Sequence, residues 1–237
     1  MNDNYQPLAK YYDVLSRWYS LGEIINCREA YLVEIFDAAK KLNESEELRV
    51  CFVGVGHGIE AIKVAGAGAK VTVVDSSESM LEAFEKNLSL APSEVQARVQ
   101  VVHEDVREFA EQEQAVGSYD WVIANFFLNV FDQVEVYQVL KDLMSFCTVK
   151  GSLVISDFHL TRGAVFGIHR WLIQCLQKAY WYIALIIFRL WVKNAFHPVY
   201  DYQNLLSKSG WKVVEEKRFG FLGIHYFQSM RIQVIVW

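Results

Sequence analysis

The sequence has no C-x-x-C pair, and its four cysteines stand far apart, at Cys27, Cys51, Cys147 and Cys175. No histidines cluster beside them, so the ligand spacing of a structural zinc site is missing. The same scatter gives no basis for a disulfide framework. No acidic triad suited to a magnesium site stands out either. We therefore expect reduced, mostly buried thiols and no bound metal.

The sequence also lacks a basic excess, a signal peptide and a long uncharged apolar run. Its formal net charge is −5, whereas nucleic-acid-binding proteins usually present a basic surface, so we expect no nucleic-acid partner. The N-terminal residues MNDNYQPLAK do not contain the apolar core of a signal peptide. No uncharged apolar run approaches the roughly 20 residues of a membrane-spanning helix. These absences predict a cytoplasmic protein.

The apolar content is sufficient for one globular enzyme domain, because 53% of the 237 residues are hydrophobic and 14% are aromatic. Strand and helix patterns alternate, which is typical of a parallel sheet with helices on both faces. We predict strands at 49–53, 71–74, 98–102, 119–124 and 152–156. The last two strands, 211–218 and 230–236, are joined too closely for a crossover helix and should pair antiparallel. Helices are predicted at 5–19, 26–42, 59–65, 78–90 and 133–146.

The stretch from residue 50 to residue 81 is the most informative part of the chain. An apolar strand enters a glycine cluster at Gly54, Gly56 and Gly58, a helix follows, and a second apolar strand ends in Asp75. Glycines let the backbone approach a ligand where a Cβ atom would clash. The acid at the end of the second strand can accept both ribose hydroxyls. This unit therefore predicts a nucleoside-binding site.

The spacing G-x-G-x-G differs from the G-x-G-x-x-G/A of dinucleotide-binding proteins and resembles the first motif of class I S-adenosylmethionine-dependent methyltransferases. The resemblance implies an α/β, Rossmann-like fold with a seven-stranded, mostly parallel sheet and a C-terminal antiparallel hairpin. It also implies S-adenosylmethionine as the cofactor and S-adenosylhomocysteine as its product. One position departs from the family. Phe52 stands where the family usually carries an acid, so part of the contact to the methionine end is expected to be missing.

Later motifs extend this resemblance over about 110 residues. They are DSSESML at 75–81, HEDV at 103–106 and YDWVIANFFLNV at 119–130. The family pattern places Asp75 on the ribose, Met80 against the adenine ring and Asp105 at the adenine amine. The cofactor residues that the resemblance implies in this core are Gly54, Val55, Gly56, Gly58, Asp75, Ser76, Met80, Asp105, Val106, Asn125 and Phe126.

The N-terminal run YYDVLSRWYSLG at 11–22 resembles the lead-in of ubiquinone/menaquinone C-methyltransferases, the methyltransferase type 11/25 group. In those enzymes an N-terminal helix covers the cofactor. The resemblance makes Tyr11 and Tyr19 candidate cofactor contacts, with plain aromatic packing as the alternative. Within one domain of residues 1–237 we expect four parts. They are lid helices at 1–45, a cofactor-binding core at 46–160, a helical cap at 161–198, and a final helix with the hairpin at 199–237.

The segment from Arg162 to His197 contains no aspartate or glutamate, and its five charged residues are all arginine or lysine. An apolar helix with aromatics and sparse cations is typical of a cap over a hydrophobic substrate pocket. It is also typical of an interfacial helix on anionic lipid, here over residues 165–192 at the inner face of a membrane. A buried helix or a homo-oligomer interface is the third alternative.

Methyl transfer needs mainly alignment of acceptor and methyl group, and a base only if the acceptor must lose a proton. The candidate bases are His159, which follows the fifth strand, and His197, which precedes a proline; Tyr200 is a further candidate. The sequence thus predicts methyl transfer to carbon or oxygen of a hydrophobic small molecule, such as a quinol, a polyketide-like compound or a lipid. The alternatives are methylation-coupled cyclisation on the same fold and cofactor, and a non-catalytic binding module.

Overall fold

The computed structural model describes residues 17–42, 46–161, 168–192, 199–206 and 211–234. A single seven-stranded sheet organises them, in the order β3-β2-β1-β4-β5-β7-β6. The pairs among β1 to β5 are parallel, whereas β7 pairs antiparallel with both β5 and β6. The strands are β1 Arg49–Val53, β2 Lys70–Asp75, β3 Val99–His103, β4 Tyr119–Asn125, β5 Cys147–Phe158, β6 Trp211–Phe221 and β7 Ile224–Val234.

Helices connect the parallel strands, as the crossover between parallel neighbours requires. In chain order they are α1 Glu23–Arg28, α2 Leu32–Lys41, α3 Ile59–Gly66, α4 Glu78–Leu88, α5 Ser93–Gln96, α6 Val106–Ala110, α7 Glu135–Phe146, α8 Ile168–Val192 and α9 Tyr202–Leu206. The architecture is the predicted one, a parallel sheet closed by an antiparallel hairpin. The predicted fold class is therefore confirmed.

Three element boundaries differ from the sequence prediction. The helix expected at 26–42 is two helices, because the chain turns at residues 29–31 before α2 begins. Helix α7 passes directly into β5 at Cys147, five residues before the predicted strand. The hairpin is longer than expected and turns at Leu222 and Gly223, both of which have a positive φ. Most of the helix predicted at 5–19 lies outside the described residues.

Apolar side chains cover both faces of the sheet, which is why both faces carry helices. One cluster joins β4, β5 and β7 to α7 and α9, with Leu143, Phe146 and Ile155 fully buried. A second cluster packs α2, α3 and α4 against β1 and β2. A smaller, partly aromatic cluster joins α1 and α8 to the end of β5 and the start of β7. The parallel strands are thus held rigidly, and their carboxyl ends are left to form a site.

Helix α8 packs only one side against the sheet. Gln177 and Ala184 on that side are buried, and the Gln177 amide nitrogen donates to the His225 carbonyl (2.6 Å). The opposite side carries large apolar residues that are each about half exposed, namely Trp171, Leu172, Leu176, Tyr182, Ile183 and Ile186. None of the described helices combines the length and apolarity that crossing a membrane requires.

Candidate functional site

The loop between β1 and α3 carries three glycines in the left-handed region, Gly54 (φ 68°), Gly56 (φ 54°) and Gly58 (φ 62°). Two of them are required by neighbours, since a Cβ atom would lie 2.3 Å from Phe127 Cδ2 at Gly54 and 2.2 Å from Phe84 Cδ2 at Gly58. At Gly56 no atom lies within 4 Å of the position of a Cβ. Neighbouring side chains therefore leave no room for a Cβ atom at Gly54 or Gly58, whereas the space beside Gly56 is empty.

A cavity of about 170 Å³ begins at this opening, at the carboxyl ends of β1, β2 and β4. This is the edge where open α/β sheets bind their ligands. The structure brings nine of the predicted cofactor residues together there, namely Gly54, Gly56, Asp75, Ser76, Met80, Asp105, Val106, Asn125 and Phe126. Residues that sequence reasoning missed complete the lining: Val53, Val74, Glu104, Phe127, Val130 and Phe131.

Two acids in this cavity have different surroundings. Asp75 ends β2, and its Oδ1 accepts a hydrogen bond from the Ser77 amide (2.9 Å), which fixes the carboxylate at the strand end. Asp105 caps α6, accepts from the Arg107 amide and receives two hydrogen bonds from the Arg107 guanidinium (2.8 Å each). The guanidinium holds the pKa of Asp105 below its usual range. A ligand amine at Asp105 would therefore share its carboxylate with Arg107.

The end of β4 supplies the far wall of the cavity. Phe126 has a φ of 52°, a conformation that is costly for a residue with a side chain and is typical of functional sites. Its ring packs edge-on against Phe158 (5.7 Å) and Phe227 (5.9 Å). The neighbouring Asn125 Oδ1 is buried and has no hydrogen-bond partner among the described residues. A buried acceptor without a partner costs free energy unless a ligand satisfies it.

A smaller cavity of about 30 Å³ lies beside the first and shares Val53, Gly54, Gly56 and Asn125 with it. Val55 and Phe52 line this smaller space. It also contains a buried ion pair, in which Arg28 Nη2 of α1 lies 2.6 Å from Glu60 Oε2 of α3. The sequence analysis missed both partners. Gly58 lines neither cavity and serves as the N-cap of α3.

The described candidate bases lie elsewhere. His159 and Tyr200 line a third cavity of about 270 Å³, which shares no described lining residue with the cavity at Gly56. His159 Nδ1 lies 2.8 Å from Gln228 Oε1. Because an amide oxygen only accepts, Nδ1 carries the proton and Nε2 is left as an acceptor. Burial lowers the pKa of His159, so the ring stays neutral near pH 7. His197 lies outside the described residues.

Tyr200 is poorly placed as a base. Its hydroxyl donates to the Phe131 carbonyl (2.5 Å), and burial raises its pKa to about 12, so it keeps its proton. This hydrogen bond ties the segment before α9 to the wall of the cofactor cavity. Asp157 is buried and accepts hydrogen bonds from Tyr202 Oη and Asn129 Nδ2. Burial raises the pKa of Asp157 to about 6.

Tyr19 lines none of these cavities. Its ring stacks on Tyr180 of α8 (4.3 Å), and each tyrosine donates its hydroxyl to the other's backbone carbonyl (2.6 and 2.9 Å). The aromatic-packing alternative is therefore the one that the geometry favours for Tyr19, and burial raises its pKa. Tyr11 lies outside the described residues. Within the described ranges no three histidine, cysteine, aspartate or glutamate side chains form a metal-binding group.

The residues present fit a nucleoside with an amino-acid arm. The loop opens at Gly56, a fixed carboxylate at Asp75 faces the same space, and a buried acceptor without a protein partner lies across from them at Asn125. The smaller cavity, lined by one cation and one anion, is continuous in its lining with the larger one.

Comparisons with known proteins agree with this reading. Residues 50–151 match the family model described as "Methyltransferase domain". A malonyl-[acyl-carrier protein] O-methyltransferase of Halalkalibacterium halodurans is 27% identical over 130 residues, which cover 54% of this chain and 45% of that protein. The chain thus aligns with less than half the length of this curated relative.

Solved structures share the fold over more of the chain. Magnesium protoporphyrin IX methyltransferase (ChlM) from Synechocystis PCC 6803 with bound SAH has a TM-score of 0.62 and 19% identity, and the match covers 98% of this chain and 97% of that one. A structure described as a pericyclic reaction enzyme has a TM-score of 0.56 and 13% identity, covering 84% and 47%. Residues 50–151 thus match a methyltransferase domain, and the strand order belongs to the fold that the chain shares with these solved structures.

Proposed function

We propose that this protein binds S-adenosylmethionine in the cavity at Gly56 and transfers its methyl group to carbon or oxygen of a hydrophobic small molecule. The observation that carries the proposal is the convergence of Gly56, Asp75 and Asn125 on one cavity at the carboxyl edge of the sheet. When bound, the cofactor supplies an electrophilic methyl group. The protein's residues hold the nucleoside, align the acceptor and exclude water, which is most of what methyl transfer requires.

The individual roles follow from position. Asp75 would accept hydrogen bonds from the ribose hydroxyls, while Met80 and Val106 would contact the adenine ring. Gly54 and Gly56 let the backbone approach the ligand closely. The roles of Ser76, Asp105 and Phe126 are the polar and apolar contacts expected from the family pattern. The nearer resemblance to quinone C-methyltransferases stays a prediction.

Aromatic packing supports a hydrophobic acceptor. Phe126 lines the cofactor cavity and contacts Phe158 and Phe227. Phe227 in turn contacts Tyr180 on α8, with ring centroids 6.0 Å apart. A packed aromatic cluster thus connects the cofactor cavity to α8, and Phe126, Phe127 and Phe131 give the cavity an apolar lining that would favour a hydrophobic acceptor.

Where the acceptor must lose a proton, His159 is the proposed base. Its neutral ring and its available Nε2 suit that role. Because His159 lies in a separate cavity, it can act only on an acceptor that extends from the cofactor cavity to the larger one. For such an acceptor, His159→Gln should remove the acidic limb of the pH profile for kcat and leave S-adenosylmethionine affinity unchanged. An unchanged pH profile would exclude His159 as the base.

The outer side of α8 is the proposed contact with a membrane surface. Its exposed apolar residues lie at helical spacings of three and four, and the segment 162–197 contains cations but no acid. An apolar side with flanking cations suits the surface of an anionic bilayer. Cys175 is exposed on this side. A polarity-sensitive dye on Cys175 should shift to the blue with phosphatidylglycerol vesicles and not with phosphatidylcholine vesicles.

A matched pair of variants distinguishes this contact from non-specific binding of vesicles by exposed apolar residues. Ile183→Glu should abolish vesicle binding, because Ile183 lies on the outer side of α8. Leu222→Glu alters a more exposed apolar residue at the hairpin tip and should bind vesicles like the wild type. Equal binding by both variants, or a concentration-dependent dimer that Ile183→Glu dissolves, would overturn the membrane contact.

The cofactor proposal is tested by titration calorimetry with S-adenosylmethionine, S-adenosylhomocysteine and NAD. Both sulfur nucleosides should bind and NAD should not. Asp75→Ala should weaken binding about 10- to 100-fold, the usual loss when a charged hydrogen-bond partner is removed. Failure of the wild type to bind either nucleoside would leave the binding-module alternative.

Similarity to the pericyclic reaction enzyme, together with Phe52 at the position of the family's acid, favours cyclisation as the second candidate. Methyl-labelled S-adenosylmethionine separates the two reactions. Label in an extracted quinone or lipid fraction supports methyl transfer. A labelled product that contains a ring absent from its acceptor supports methylation-coupled cyclisation.

A further inference from the structure

The position of Phe52 raises a question about the methionine end of the cofactor. The side chain that should be acidic there is a buried phenylalanine in the core beneath the sheet. An α-ammonium group needs acceptors, and leaving it without one in a desolvated site costs several kcal/mol. The structure brings another carboxylate to the same small cavity, from the first turn of α3.

Glu60 is that carboxylate. Its side chain is 6% exposed and lies 2.6 Å from Arg28 Nη2, whose side chain is 8% exposed. A carboxylate has about four acceptor sites, so the ion pair leaves Glu60 capacity for a second donor. A cavity of about 30 Å³ beside the pair is the size of one polar group, comparable with a water molecule.

Asn125 provides an independent sign that this space takes a donor. Its Nδ2 lies 3.4 Å from the Arg28 carbonyl, which orients the amide, while its Oδ1 is buried without a partner among the described residues. Both Asn125 and Glu60 line the small cavity. Two acceptors therefore face this space, and Arg28, whose Nη2 already binds Glu60, is the one cationic side chain among its described lining residues.

We propose that Glu60, positioned by Arg28, replaces the acid missing at residue 52 and binds the α-ammonium group of the cofactor together with Asn125 Oδ1. The methionine end is thus recognised across α1 and α3 rather than from the end of β1. This inference rests on the proposed use of S-adenosylmethionine.

The test compares two ligands that differ only at this end. S-Adenosylhomocysteine carries the amino-acid group, whereas 5′-methylthioadenosine has the same nucleoside and sulfur without it. Calorimetry of the wild type should give at least tenfold tighter binding of S-adenosylhomocysteine. In Glu60→Gln that preference should shrink about 10- to 100-fold, with methylthioadenosine affinity changed less than threefold.

A neighbouring ion pair gives the control. Glu29 adjoins Arg28 in sequence and pairs with Lys63 on the surface (2.5 Å), so Glu29→Gln should keep the wild-type preference. Should Glu60→Gln fail to fold because Arg28 loses its buried partner, Asn125→Ala provides the second variant. It leaves the ion pair intact and should also reduce the preference for S-adenosylhomocysteine.

The outcomes separate this inference from the proposed function. Equal binding of the two ligands by the wild type, or an unchanged preference in Glu60→Gln or Asn125→Ala, would overturn the role of Glu60 and leave the nucleoside site standing. A wild type that binds neither ligand would overturn the proposed function and this inference with it.

Discussion

Gly56 and Gly117 form a natural matched pair for testing the glycine loop. Both have left-handed backbones, with φ of 54° and 63°, and neither has an atom within 4 Å of the position of a Cβ. They differ in location, because Gly56 lines the candidate cofactor cavity and Gly117 lies in the turn before β4. Alanine at either position should therefore cause the same strain but different effects on binding.

The magnitude follows from the backbone. An alanine in the left-handed region costs about 1–2 kcal/mol, and the less flexible unfolded chain returns about 0.4–1 kcal/mol. Both variants should lose about 1 kcal/mol in free energy of unfolding, which lowers Tm by roughly 2–4 °C in a chain of this size. Gly54→Ala should lose clearly more, since its Cβ would overlap the Phe127 ring.

Binding should separate the pair. The Gly56→Ala methyl group occupies the space where the loop opens, so S-adenosylhomocysteine affinity should fall at least tenfold. Gly117→Ala should bind within about twofold of the wild type. Calorimetry at 20 °C measures both affinities. Unchanged binding by Gly56→Ala would refute the close approach of the loop, and an equal loss in Gly117→Ala would attribute the effect to stability alone.

Three further predictions concern titration, capping and thiols. Burial raises the pKa of Asp157 to about 6, so the folded protein binds this proton more tightly than the unfolded chain does. The protonated Asp157 therefore stabilises the fold most below pH 4, and this contribution falls by roughly 3 kcal/mol as the pH rises through 6. Asp157→Asn should remove that fall in urea unfolding curves measured from pH 4 to pH 7, and a parallel curve would contradict the raised pKa. Ser77 Oγ accepts from the Met80 amide at the start of α4 (3.3 Å), so Ser77→Ala should cost about 1 kcal/mol in thermal unfolding, with Ser89→Ala at the end of the helix as the milder comparison. Of the four cysteines only Cys175 is exposed, and burial raises the pKa of Cys147 to about 12. A thiol reagent should therefore modify one thiol quickly in the folded protein and four after unfolding. Rapid modification of more than one thiol in the folded protein would contradict the burial of the other three.

The order of strands and helices could be predicted from the sequence because most of these elements have a local sequence pattern. The continuous apolar runs of β1, β2 and β4 and the glycine cluster between β1 and α3 predicted the nucleoside motif and the fold class. Ser77 is a cap in the structure, as its position before α4 predicted. The start of β5 and the length of the hairpin were misplaced, because Cys147 pairs with Tyr119 of β4 and the hairpin strands pair as far as Phe221, and pairing is not visible in a local pattern.

Residues distant in sequence decided the rest. Arg28 and Glu60 are 32 residues apart, and no local pattern relates them until α1 is packed beside α3. Tyr19 reads as a lid residue in the sequence, yet its stack on Tyr180, 161 residues away, directs it beneath α8. His159 follows β5 as expected, but the turn of Phe126 and the wall formed by Tyr200 and Phe131 separate it from the cofactor cavity.

The sequence by itself thus determined the fold class and the nucleoside motif, because strand periodicity and glycine spacing act over a few residues. Only the tertiary structure decided which charged side chains share the small cavity, which aromatics line the acceptor side and which side of α8 remains exposed. Those outcomes depend on how α1, α8 and β7 pack around the sheet, and packing between distant segments is a property of the whole chain.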